Sequence, residues 1–428
     1  MAACLLVLAR SFRPAKWIVR LALLASLQPV SAGSNAERFA DLRVGAWNLE
    51  TDGGFAVAAD EPRNKIHFLF VSGNDLLHSV SSDGGKAWST AVTVATSDKL
   101  KFPTFAIDRK GKVHVAYAAN NHNELHYRCW SDGSWSEPAN LTAGIPGKLA
   151  TVGPRLAIDG RDNVHVLYWS VWRSGVPNWR PGSRAVYCYK PADRERFDEP
   201  QLWANQANTP GGYGKHGALF RDGEGNIHLF YLTSDQPVPD KKISNAIERR
   251  IRRPDGTWDP RHDVWPIKDD MCDWSLAAAL GPSGVVHLSA HRRVSSQGAE
   301  IVYWNNQNNP AALVEAHNAG FEPWESWTDL AVEPSGDVWL ATAHLPYKPA
   351  PDKPDPIGPR AGYLRYSADA KQWTARTFLP TEDGANLGSR NYSHPRFIRL
   401  QGKLHLFHAR KEAGVFRHYV RRFDGPGK

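Results

Sequence analysis

An all-β fold, a seven-bladed β-propeller of four-stranded antiparallel blades, is predicted by three observations. The first is a repeat. An apolar strand, a turn ending in Gly or Asn, and a second strand that usually carries His recur as FAVAADEPRNKIHFLF, FPTFAIDRKGKVHVAY, GPRLAIDGRDNVHVLY, HGALFRDGEGNIHLFY, SLAAALGPSGVVHLSA, WTDLAVEPSGDVWLAT and SHPRFIRLQGKLHLFH. Their aligned anchors are His67, His114, His165, His228, His287, Trp339 and His405, at intervals of 47 to 66 residues. The second is composition. Aromatics make up 11% of the 428 residues, with 17 Trp against 2 Met, and 30 Pro and 35 Gly supply turns, which suits many short strands rather than helices. The third is a deficit: the seventh copy has a third strand near residues 416–422, and the chain stops six residues later.

From the N-terminus, Arg10, Arg13, Lys16 and Arg20 precede an apolar stretch over 21–27, and Val30-Ser31-Ala32 offers a small-residue cleavage site. Residues 1–32 therefore read as a signal peptide, and 33–428 as a single secreted or periplasmic domain. No apolar run reaches the roughly 18 residues of a membrane span. Within each repeat a third alternating strand follows, as in ELHYRCW, RAVYCYK, EIVYWNN and GYLRYSA, then a turn and a Trp-bearing fourth segment. Four short antiparallel strands at this period describe a propeller blade, which buries its two faces only by stacking on neighbours. The missing outer strand of the seventh blade is assigned to residues 38–44, so that the two chain ends pair and the ring closes. The anchor residues alternate with apolar neighbours and are expected between blades as packing and hydrogen-bonding devices. Cys129, Cys188 and Cys272 show no metal-ligand spacing, and small buried thiols are expected at Cys129 and Cys188.

Ser81-Ser82-Asp83-Gly84-Gly85-Lys86-Ala87-Trp88 matches the Asp-box pattern SxDxGxxW, with degenerate relatives around Ser131–Trp135, Asp255–Trp258 and Ser367–Trp373. The Asp accepts backbone N–H groups in a turn, Gly takes the tight position, and Trp packs beneath. Over nearly its whole mature length the chain thus resembles the sialidase-like, Asp-box (BNR) propeller superfamily. It carries Lys101-Phe102-Pro103-Thr104 where sialidases carry an early Phe-Arg-Ile-Pro. Asn121-His122-Asn123-Glu124-Leu125-His126-Tyr127-Arg128 is similar to a stretch of the seven-bladed ulvan lyases, relatives of a rhamnosidase. The resemblance implies a polysaccharide-cleaving site in which His122 takes part.

In a propeller, the loops before the first strand and those between second and third strands open together at one end of the channel. Collected by that rule, the mouth holds Trp169, Arg173 and Arg180; Tyr213, Lys215 and His216; Trp274, His291 and Arg292; and Arg390, Tyr392, His394 and Arg410. Rings stack on sugar faces and Arg forks grip carboxylate or sulfate, so an acidic polysaccharide is the expected partner. His216, His122 and Tyr213 are the candidate catalytic groups for lyase or glycosidase chemistry, since His near neutral pKa exchanges protons and Tyr can serve as partner acid. The other eleven are candidate substrate-binding residues. No cofactor is required, though Asp270 and Asp273 could hold a structural divalent cation. The alternative is a non-catalytic lectin or scaffold. Its pockets would recur in every blade, whereas the mouth residues here differ from blade to blade. The net charge of +8 is spread without a basic run, which, with export, argues against nucleic acid. A monomer is expected.

Overall fold

The computed structural model describes residues 41–44, 54–143, 145, 148–172, 182–205, 217–233, 245–260, 262–267, 271–295, 298–316, 327–344, 360–374, 377–379, 395–412 and 415–423. The expected leader, 1–32, lies outside them. The described residues form seven small antiparallel sheets and two short 3-10 turns, Glu61–Arg63 and Pro282–Gly284. No helix among them is long and apolar enough to cross a membrane.

Each sheet begins with one strand of the repeat: Phe55–Asp60, Lys101–Ile107, Lys148–Ile158, Ala218–Arg221, Met271–Leu280, Trp327–Val332 and Arg396–Leu400. These first strands pack one on the next in chain order, and the last packs on the first. Alternation along the second strands explains why. On Lys65–Ser72, Ile66, Phe68 and Phe70 join a core with Leu400, Phe407 and Val420 of the seventh sheet. Leu69 and Val71 point the other way, into a core with Phe105, Val113 and Tyr117 of the second. A strand buried on both faces reads as a near-continuous apolar run.

The outer positions depart from the simplest expectation. Five sheets have four strands, but the second and sixth have five, because two short strands share the outer edge. In the second sheet these are Ser134–Trp135 and Ala139–Asn140, separated by a stretch containing Pro138, which has no N–H to give a ladder. In the seventh sheet the outer strand comes from the other end of the chain. Asp41–Arg43 pairs antiparallel with Val415–Phe423, Leu42 opposite Val420, and the Val44 N–H donates to the His418 carbonyl at 2.8 Å.

All seven anchors are buried. Nε2 of His165 lies 3.1 Å from Asp159 and Nδ1 lies 2.7 Å from the Tyr187 hydroxyl. A carboxylate only accepts, so Nε2–H donates to Asp159 and Nδ1 takes the tyrosine proton. His114 repeats this with Asp108 and Tyr127. The turn after the third strand of the first sheet is built as its residues imply: Oδ1 of Asp83 accepts from the Lys86 and Ala87 N–H groups and the Ser81 hydroxyl. Gly84 and Gly85 have φ of 75° and 91° there, and Trp88 packs edge-on against Phe68. Cys129 and Cys188 are free thiols, Cys188 fully buried.

Candidate functional site

Residues from all seven first strands, among them Ala56, Thr104, Arg155, Leu219, Ala277, Asp329 and Arg396, line one cavity of about 230 Å³. It is lined by the opening residues of Ala218–Arg221, Trp327–Val332 and Arg396–Leu400 and by residues past the middle of the longer Lys148–Ile158 and Met271–Leu280. Among the described residues three ionisable side chains face it. Arg155 donates from Nε to the Gly217 carbonyl at 3.1 Å and from Nη1 to the Pro154 carbonyl at 3.1 Å. Asp329 accepts the Phe397 N–H at 2.7 Å through Oδ2, and its Oδ1 is 3.9 Å from Nη1 of Arg396. Surrounded by protein yet facing the cavity, the Arg396 and Asp329 side chains keep 24% and 22% exposure. Burial pushes the Asp329 carboxyl up, against the pull of Arg396 and the Phe397 N–H. Burial and then Arg396 disfavour the charge on Arg155, while Asp329 favours it.

Sequence reasoning missed this trio, although a signal was present. Pro154-Arg155 and Pro395-Arg396 stand at the same place in the third and seventh repeats, one residue before Leu156 or Phe397.

Of the expected site residues, His122 is placed most informatively. It follows Asn120 and Asn121 in a turn where all three residues have left-handed backbone, with φ of 51°, 55° and 68°. Asn adopts this region readily, whereas His does so at a cost on the order of 1 kcal/mol or more. The half-buried ring meets Phe102 of the first strand edge-on at 5.3 Å. Phe102 in turn packs against the cluster that contains Trp169.

Trp169 itself corrects an expectation. It is 1% exposed, in the core between the third and fourth sheets, and its ring lies close under Gly217, so it packs rather than offering a face to a sugar. The Trp type alone did not separate these roles; its position directly after the buried run Val166–Tyr168 could have. Through Gly217, Trp169 supports the carbonyl that holds Arg155.

The remaining expected residues divide in two. The backbones of Trp274, Asp273, His291, Arg292 and Arg410 lie on strands, with His291 opposite Cys272 and Arg292 opposite Met271 at the start of the fifth sheet; their side chains are outside the described residues. Arg173, Arg180, Tyr213, Lys215, His216, Asp270, Arg390, Tyr392 and His394 lie outside them altogether. Among the described residues no three His, Cys, Asp or Glu side chains gather as metal ligands.

No family model and no curated protein sequence matches the chain. Solved structures do match its fold. An ulvan lyase, from a new family of polysaccharide lyase and bound to -[GlcA(1-4)Rha3S]-, superposes with a TM-score of 0.56 at 11% identity, over 90% of this chain and 94% of that one. A second polysaccharide lyase gives 0.52 at 12% identity, over 92% and 94%. A fungal alcohol oxidase in complex with copper gives 0.52 at 11% identity, over 90% and 79%. One propeller-like architecture thus carries different chemistries, and at these identities the likeness speaks for the fold alone.

Proposed function

We propose that this protein is a secreted carbohydrate-active enzyme that cleaves an acidic polysaccharide at the mouth of a central channel. In this reading residues 33–428 form one seven-bladed propeller of the Asp-box kind, closed by the N-terminal strand, and residues 1–32 are an export signal. The circuit of first-strand contacts, the Asp41–Arg43 pairing and the Ser81–Trp88 turn support the architecture.

The observation that carries the function is the cavity itself. Seven strands line one small space, and among the described residues two guanidinium groups and a carboxyl, from only three of those strands, face it. That asymmetry fits one reaction site better than a ring of lectin sites, and the surplus cation fits an anionic group on the sugar. His122, whose ring meets Phe102 one residue before the cavity-lining Pro103, is proposed as a proton-transfer group. Tyr213 and His216, which precede Gly217 in the sequence, are proposed as its partners, and Lys215, Arg173, Arg180, Trp274, His291, Arg292, Arg390, Tyr392, His394 and Arg410 as the substrate-holding rim. A uronate lyase would neutralise the carboxylate with Arg while His or Tyr removes the α-proton at C5, the C4–O bond breaks to leave a C4=C5 double bond, and Tyr protonates the departing oxygen.

The test is incubation of the mature protein with uronate-containing and sulfated polysaccharides, following the ultraviolet absorbance of unsaturated uronate and reducing ends together. Absorbance that rises in the native protein and falls at least 100-fold in His122→Ala supports a lyase using His122. Reducing ends without absorbance assign hydrolysis. Binding without either product leaves a lectin and overturns the enzyme.

A further inference from the structure

Among the described residues that line it, the cavity holds two formal positive charges and one negative one. Its other named walls, such as Ala56, Thr104, Leu219 and Ala277, are apolar or neutral. The described lining thus carries a surplus of one positive charge, which favours one negative charge on a ligand. The donors for it are in place. Two carbonyls fix the Arg155 guanidinium through Nε and Nη1, which leaves Nη2 for a ligand. At 3.9 Å from Asp329, Arg396 is paired in charge but outside hydrogen-bond reach, and among the described residues its guanidinium donates no hydrogen bond. Asp329 cannot swing to satisfy it, because Oδ2 is held by the Phe397 N–H.

We propose that the cavity is a receptor for a single carboxylate, gripped by Arg155 and Arg396, with Asp329 as the residue that restricts it to monoanions. A monoanion brings the cavity to neutrality. A dianion would overshoot and meet the Asp329 carboxylate at short range, where like charges are costly. Size agrees: at about 30 Å³ per water, 230 Å³ admits a carboxylate with a few waters around it. The carboxylate belongs either to a uronate residue of the substrate or to a small free acid bound as a fixed part of the fold. The proposal deepens the reading of an acidic substrate, but its test needs no catalysis, so either can fail without the other.

The test is calorimetric titration of the mature protein with acetate, glucuronate and sulfate at constant ionic strength. Acetate and glucuronate are expected to bind, with sulfate at least ten-fold weaker. Glucuronate at least ten-fold tighter than acetate assigns the site to a sugar acid; equal affinities assign it to a free carboxylate. Asp329→Asn, which keeps the shape and removes the negative charge, is expected to tighten acetate and to admit sulfate. Arg396→Gln is expected to weaken acetate at least ten-fold, with the melting temperature confirming a folded chain. Sulfate binding as well as acetate to the native protein, no acetate binding, or an unchanged preference in Asp329→Asn would overturn the proposal, and the first two need no variant.

Discussion

A methyl group at position 217 would sit 2.2 Å from the Phe230 carbonyl oxygen and 2.5 Å from Cη2 of Trp169, with backbone on one side and a packed ring on the other. Neither neighbour gives way cheaply. Gly217→Ala is therefore expected to cost about 2 kcal/mol or more, read from the denaturant midpoint, and to displace the carbonyl that holds Arg155. An unchanged midpoint would contradict the packing described. His122 offers the opposite case. Its left-handed backbone is unfavourable for His and free for Gly, so His122→Gly is expected to leave the melting temperature equal or slightly higher while removing the ring. If cleavage also survives in that variant, His122 is not a proton-transfer group. The sequence reading failed at Trp169 for a reason these residues make plain. Trp serves sugar stacking and core packing alike, and only the neighbouring strand, here the one led by Gly217, decides between them.

At the scale of strands and sheets, legibility was high wherever burial imposes a period. The anchors His67, His114, His165, His228, His287, Trp339 and His405 are all buried, because a strand packed on both faces has no solvent side on which to place them. The outer edges were harder to read, since two short strands or one longer one satisfy the same third strand, as the second and sixth sheets show. The Asp41–Arg43 pairing was legible only as a deficit at the other end of the chain. It covers the edge of Val415–Phe423 and places Val44, 2% exposed, in the core with Phe55 and Phe407. A chain begun at residue 45 leaves that edge open to other chains. It is expected to aggregate at temperatures where a chain begun at residue 33 stays in solution; equal solubility and equal melting would show that the strand contributes nothing. Val44→Asp, which buries an unpaired charge, is expected to cost about 3 kcal/mol or more in a denaturant titration.

For the molecule as a whole, buried imidazoles set its response to acid. Burial, the largest cause in each case, holds His67 and His287 at about 4 and His78, His408 and His418 at about 3. Unfolded, each returns to about 6.5. Above that pH neither state binds the proton, and stability is unaffected. As pH falls from about 6.5 to 4, the unfolded chain takes up protons that the folded one refuses, so stability drops through that window, by on the order of 1 to 3 kcal/mol for each such histidine. Melting temperatures at pH 7.5, 6, 5 and 4 check this, and a flat profile would contradict it. The site was less legible than the fold. Strand periodicity says nothing about which of seven equivalent first strands carries charge, so the meeting of Arg155, Asp329 and Arg396 emerges only once the sheets are arranged about one cavity. The proposed action of this cavity on an acidic sugar polymer is tested most directly with one substrate in two forms, a uronate polysaccharide and its carboxyl-reduced counterpart. Product is expected from the native polymer and none from the reduced one; cleavage of both at equal rates would contradict an acidic-sugar site.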